Sequence, residues 1–298
     1  MNEAALVLPP ALPLSPPANA KPRVWPAFVA FALLLLLGIL AAGVMVGFVA
    51  GFVDGFKHGA HMTEQHIRTE AIRAAGILSG FASTMAIAAG IALMGAWLSP
   101  MFWRDRLRLR PGKLQPLILI VGTLGIMSAG MILTSCMQLG WLPHSKTLDM
   151  LDHMLKELPL GGAITSGLLL GLLPGFCEEL LFRGYIQTRL VARWGAVWGI
   201  FWTALMFGIM HMDLMQGLFA VVIGCLLGFI TVRSGSIIPA IICHASNNLT
   251  SMLLAITTED SHSHIANYVV LLIGLIILPL AILYLRAHLP PAKAKSAA

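Results

Sequence analysis

Apolar residues run along this chain in long blocks, cut by short polar or basic breaks. A helix needs about 20 apolar residues to cross a hydrocarbon core about 30 Å thick. On that scale eight blocks qualify, roughly 27–53, 74–98, 115–136, 161–182, 195–211, 214–232, 236–256 and 267–286. The fifth and sixth are parted only by His211, Met212 and Asp213, so the turn between them must be tight. No long internal repeat is visible. The pattern predicts an all-α fold, a polytopic membrane bundle of about eight transmembrane helices. Glycines recur at four-residue spacing: Gly43, Gly47, Gly51 and Gly55; Gly167, Gly171 and Gly175; Gly224 and Gly228. Small residues on one helical face let backbones approach in lipid, so these stripes predict close helix contacts.

Composition agrees. Of 298 residues, 58% are hydrophobic and 11% charged, against about 25% charged in a soluble domain. The net charge of +6 sits in short segments beside apolar blocks, which argues for a membrane and against nucleic acid. With the N-terminus in the cytoplasm and eight alternating spans, fourteen of the 19 lysines and arginines fall on the cytoplasmic side. The excess of basic residues inside predicts a multi-pass protein of the plasma (inner) membrane with both termini cytoplasmic. Arg104, Arg106, Arg108 and Arg110 make a basic loop suited to anionic lipid heads. The four cysteines form no CxxC pair and lie in apolar stretches, so they read as packing residues.

Residues 1–25, broken by Pro9, Pro10, Pro13, Pro16 and Pro17, lack the basic start of a signal peptide and read as a disordered tail. Residues 26–145 hold the first three spans, 158–256 the fourth to seventh, 266–288 the last, and 289–298 a basic tail. His58, His61 and His66, with Glu64, and likewise His262 and His264, read as solvated loop residues.

A few polar residues break the apolar rule. Glu178, Glu179 and Arg183 end the fourth block. A carboxylate at the centre of a spanning helix costs about 2.5–3.5 kcal/mol on insertion scales and normally faces a bundle interior or wet cavity. Glu179 and Arg183 are four apart and able to pair along one face, which leaves Glu178 about 100° away and free. Snorkelling of both glutamates at the membrane edge is the competing reading. His211 closes the fifth block, and His244 lies in the seventh with Asn248 one turn later. At 1.5 Å per residue, Glu178 lies about 16 Å from the cytoplasmic boundary, His211 about 24 Å, His244 about 14 Å and Asn248 about 20 Å. Within the error of the boundaries the four share one buried level.

The run Glu178-Glu179-Leu-Leu-Phe-Arg183-Gly184 resembles the EExxxR motif of the CPBP family, the CAAX proteases and bacteriocin-processing enzymes also called ABI. Phe207-Gly-Ile-Met-His211 is similar to its FxxxH motif, and His244-Ala-Ser-Asn-Asn248 to its HxxxN motif. The three occur in family order over roughly residues 160–256, about a third of the chain. The resemblance implies a type II CAAX prenyl endopeptidase-like fold with a membrane-embedded catalytic cavity. It implies an intramembrane endopeptidase acting on membrane-associated, CAAX-type prenylated substrates, with peptide or protein substrate and bilayer lipid as partners. Glu178 and His211 would activate a water, and His244 and Asn248 would support the oxyanion. Glu179, Arg183 and Phe207 would shape the site. Family members also serve in bacteriocin immunity and protein assembly, so a non-catalytic role is the alternative.

Two chemistries use these residues. In one, a buried glutamate acts as general base without a metal. In the other, Glu178, His211 and His244 hold a divalent metal such as zinc with one position left for water. No HExxH motif is present, and no metal is assigned. A proton-relay transporter is a third reading, for which neither broken helices nor repeat symmetry is evident.

Overall fold

The computed structural model describes residues 22–56, 62–111, 115–257 and 263–290. The expected tails lie almost wholly outside these residues, as do His58, His61 and His262. Among the described residues every regular element is helical. They are α1 (Trp25–Phe56), α2 (Met62–Trp97), a short α3 (Trp103–Arg106), α4 (Pro116–Gln138), α5 (Lys146–Glu157) and α6 (Leu160–Glu179). A π-helical segment (Leu180–Gln187) follows, then α7 (Thr188–Trp194), α8 (Ala196–Met210), α9 (Leu214–Ser234), α10 (Ile238–Thr257) and α11 (His264–His288).

Each of the eight apolar blocks is helical. Among the described residues six helices are long and apolar enough to cross a membrane. The two blocks that are not among them differ for visible reasons. The helix α8 has 15 residues, about 22 Å at the α-helical rise, and α10 carries His244, Ser246, Asn247, Asn248 and Thr250. Each buries one face in the bundle, with Phe207 of α8 and His244 of α10 covered, while Val197 and Trp198 of α8 and Leu253 of α10 stay exposed.

Three elements depart from the expected pattern. The fourth span does not end near residue 182: helix continues through the π segment and α7, so Leu160–Trp194 is one 35-residue stretch. Arg183 therefore lies inside the bundle and not in a cytoplasmic loop, with none of its surface exposed. The expected loop before the fourth span contains α5, whose Ser145 Oγ accepts from the Leu148 N–H as an N-cap. Its Met154 and Leu155 are buried beside Ala74 and Leu170. His66 and Glu64 fall in α2 and not in a loop.

The glycine stripes behave unequally. A methyl group at Gly175 would meet the Ala245 backbone nitrogen at 2.8 Å, and one at Gly171 the Leu249 Cα at 3.2 Å. Gly167 faces Met252 in the same way. This stripe lets α6 lie directly on α10. Gly224 packs against Ala204 of α8, and Gly228 against Gln187. Gly43 and Gly47, in contrast, have nothing within 4 Å of where a side chain would begin, so the stripe on α1 makes no close contact among the described residues.

The contacts also fix the ends. Phe28 near the start of α1 lies against Trp194 at the end of α7, with ring centroids 6.1 Å apart. The Ile237 N–H donates to the Arg108 carbonyl before α10, and Arg233 of α9 donates to the Arg286 carbonyl of α11. The start of α1 and the end of α11 therefore lie at one end of the bundle, with the Arg104–Arg110 segment. Exposed Trp25, Trp97, Trp103 and Trp198 ring that end. Trp141 and Tyr268, 6.0 Å apart, mark the other. Two aromatic girdles are what a membrane-water boundary selects on each side.

Candidate active site

The centre of the bundle is the passage from α6 into the π segment. Pro174 interrupts α6 one turn before Glu178, since proline lacks the N–H that would complete the ladder. The π turn that follows widens the helix, a feature frequent at functional sites. Glu178 and Glu179 are 4% and 0% exposed, which discards the snorkelling alternative.

Glu179 Oε1 accepts from Arg183 Nη1 at 2.7 Å and from His244 Nδ1 at 2.9 Å. The expected pairing along one face is present, and an imidazole from α10 shares it. His244 Nε2 lies 3.9 Å from Glu178 Oε2, so this ring stands between two carboxylates. Glu178 has the looser contact of the two, as its position on the helix predicted. Arg183 also donates from Nη2 to the Gly224 carbonyl at 3.3 Å, which the missing side chain at Gly224 permits.

Phe207 joins the motifs. The Arg183 guanidinium lies 4.5 Å from its ring centroid, a cation-π geometry. His211 and His244 stand nearly perpendicular to it, with centroids at 5.0 Å and 5.9 Å. Half-buried His211 contacts the Phe207 carbonyl through Nδ1 at 2.8 Å. A carbonyl only accepts, so Nδ1 is the protonated nitrogen and a neutral ring keeps a lone pair on Nε2. Glu178, Glu179, Arg183, Phe207, His211 and His244 thus form one connected cluster. Asn248 is on α10 one turn past His244; its Oδ1 accepts from Asn247 Nδ2 at 3.1 Å.

No group of three His, Cys, Asp or Glu side chains comes together to hold an ion among the described residues. Glu178 and His244 converge, but His211 does not complete a three-ligand set with them.

Some participants were not expected from the sequence. Asn247 is buried, and a polar residue one place from an HxxxN asparagine carries no separate signal. Gln187, buried in the π segment, donates from Nε2 to the Gly228 carbonyl at 3.0 Å; its glutamine-to-glycine pairing depends on helix packing alone. Arg106 was expected at lipid heads and is instead buried, with Nη1 on Thr188 Oγ1 at 2.6 Å and Nη2 on the Tyr185 carbonyl at 3.3 Å. Cys177 and Cys243 are buried free thiols, and Cys243 Sγ fills the space facing Gly122, in keeping with packing roles.

An all-helical, multi-pass membrane protein whose buried carboxylates and imidazoles meet between helices is the class that fold and site define. Residues 161–250 match the family model described as type II CAAX prenyl endopeptidase Rce1-like. The match bears out the resemblance drawn from the three motifs, over the segment that contains them, and supports a membrane protease function of the CAAX type. No match was found among curated proteins or solved structures.

Proposed function

We propose that this chain is an intramembrane endopeptidase that hydrolyses peptide bonds in membrane-associated substrates, prenylated CAAX-type peptides among them. One observation carries the reading: an imidazole is held by a buried glutamate at Nδ1 while its Nε2 faces a second buried glutamate at 3.9 Å. That gap is too long for a direct hydrogen bond, and in the proposed mechanism the nucleophilic water donates to both groups across it.

Glu178 is the general base. It takes a proton from that water as the oxygen attacks the scissile carbonyl carbon, then returns it to the departing amide nitrogen as the C–N bond breaks. The products are a carboxylate and an amine. Glu179, itself held by Arg183, accepts a hydrogen bond from the Nδ1–H of His244, so a neutral His244 presents an accepting Nε2 and orients the water. His211, whose Nδ1 is engaged by Phe207, presents a second accepting nitrogen. This assignment moves His244 from the oxyanion to the water. Asn248 is left to serve the oxyanion: with its oxygen occupied by Asn247, its amide N–H groups are free to donate. Such a donor supplies about 3–4 kcal/mol. The Glu178 carboxylate is buried between α6 and α10, beside His244.

The test is cleavage of a membrane-delivered prenylated peptide by purified chain, with Glu178→Ala and His244→Ala as controls. Turnover by the wild type and its loss in both variants supports the reading. Undiminished turnover in both would sink it. Activity abolished by chelation and restored by zinc would replace the metal-free steps with a metal-assisted form.

A further inference from the structure

The arginines at the Trp97 end of the bundle have an electrostatic problem that the protein does not solve. Arg106 is buried and surrounded by neutral partners, the Thr188 hydroxyl, the Tyr185 carbonyl and the Tyr185 ring at 5.3 Å. Burial, opposed by Tyr185 and reinforced by the charge of Arg108, brings its guanidinium down to about 10. Arg108 is half-buried, and burial lowers its pKa as well. Its backbone is held in the left-handed region at φ 54°, and its carbonyl is anchored by the Ile237 N–H at 3.1 Å. Its guanidinium has no hydrogen-bond or carboxylate partner among the described residues. Arg189 stacks on the Tyr185 ring at 3.9 Å, and its buried Nη1 has no hydrogen-bond partner. The one acidic side chain of this segment, Asp105, pairs with Arg110.

Arg106 and Arg189 therefore both lie against Tyr185, Arg108 is near enough for its charge to act on Arg106, and none of the three has an anionic partner among the described residues. Buried charge left unpaired is costly, and an orphaned buried donor calls for a missing partner. The place indicates the partner's source. Arg189 lies five residues before Trp194, about 8 Å along the helix, just inside the aromatic girdle of this end. That is the level of lipid headgroups.

We infer that Arg108 and Arg189, backed by Arg106, form a site for the phosphate of an anionic phospholipid headgroup. Arg106 has both terminal nitrogens engaged and contributes field, while Arg108 and Arg189 have donors to offer. The site adjoins the helix that carries Glu178 and Glu179: Leu107 packs on Gly184, and Thr188 is one turn past it. A bound headgroup thus clamps the Arg106–Leu109 segment onto the far end of the π segment.

Thermal unfolding of the purified full chain in neutral detergent at low salt tests this. The probes are short-chain phosphatidylglycerol, short-chain phosphatidylcholine and inorganic phosphate. The expected result is a Tm that climbs with phosphatidylglycerol concentration, as ligand binding to the native state requires, and does not climb with phosphatidylcholine. Arg108→Gln and Arg189→Gln should lose most of that shift, while Arg110→Gln and Arg193→Gln keep it. A rise with inorganic phosphate, lost in Arg108→Gln, identifies free phosphate as a sufficient source; a rise with phosphatidylglycerol alone identifies the lipid. If Arg189→Gln fails to fold for want of its Tyr185 contact, Arg108→Gln decides, since its side chain holds no protein partner. An equal response to both lipids, or an undiminished shift in Arg108→Gln, overturns the site.

Discussion

At the scale of single residues, the ion pair in the middle of the bundle sets the strictest demands. Arg183 and Glu179 are both fully buried, at 0% exposure. Removing one member strands the other charge in a medium that cannot solvate it. Arg183→Ala is expected to cost about 3–5 kcal/mol, read as a lowered Tm in detergent. Arg183→Lys should not restore stability, because an ammonium cannot serve Glu179, the Gly224 carbonyl and the Phe207 face together. Asn247 makes a subtler demand. If it holds the Asn248 amide in one orientation, Asn247→Ala should lower kcat with little change in KM. The expected loss is smaller than the roughly 10²–10³-fold of a deleted oxyanion donor, the effect expected for Asn248→Ala. An unchanged kcat in Asn247→Ala removes it from the mechanism.

At the scale of elements, the site depends on how closely two helices meet. Gly175 lies against the Ala245 backbone, next to His244. A side chain there has no flexible neighbour to push aside. Gly175→Leu should separate α6 from α10, pull His244 from the glutamates and abolish activity at any temperature at which the fold survives. Gly43→Leu, facing open space, is the tolerated control; both are read by Tm and turnover. The α8–α9 turn offers a pH signature. Burial tends to raise the Asp213 pKa, but hydrogen bonds from Gln216, Ser145, Thr147 and Met215 outweigh it and hold the carboxyl below its ordinary value of 3.8. A depressed carboxyl contributes stability above its unfolded pKa and loses it as pH falls through the folded one. The wild type should therefore lose Tm as pH is lowered below about 4, and Asp213→Asn should lose less over that window. Parallel curves for the two proteins would show that Asp213 contributes nothing.

For the whole molecule, the two girdles and the shared end of the termini set how the bundle sits. Basic residues concentrate at the end ringed by Trp25, Trp97 and Trp103, although Arg106 and Arg183 are withdrawn into the protein. Removing these two from the exposed basic set leaves the bias in place. The expected topology has both termini in the cytoplasm. Reporter fusions at either terminus should be active only if they function in that compartment, and a periplasmic or extracellular signal from the C-terminal fusion would reverse the assignment.

Much of this was readable from linear order. Hydropathy blocks located the helices because crossing lipid is a requirement on consecutive residues. The i, i+4 spacing of Glu179 and Arg183 announced their bond because a helix makes those positions neighbours. The 3.6-residue pattern of Leu148, Leu151, Leu155 and Leu158 also carried α5, which a search for spans alone passes over. Other features depend on segments far apart in the chain. His244 meets Glu179 across 65 positions, and Arg106 meets Thr188 across 82. The π turn that carries helix past residue 182 is packed against α1, α2, α8 and α9, segments distant in the chain. Whether a charge faces lipid, water or another side chain is set by such packing, and local pattern does not encode it.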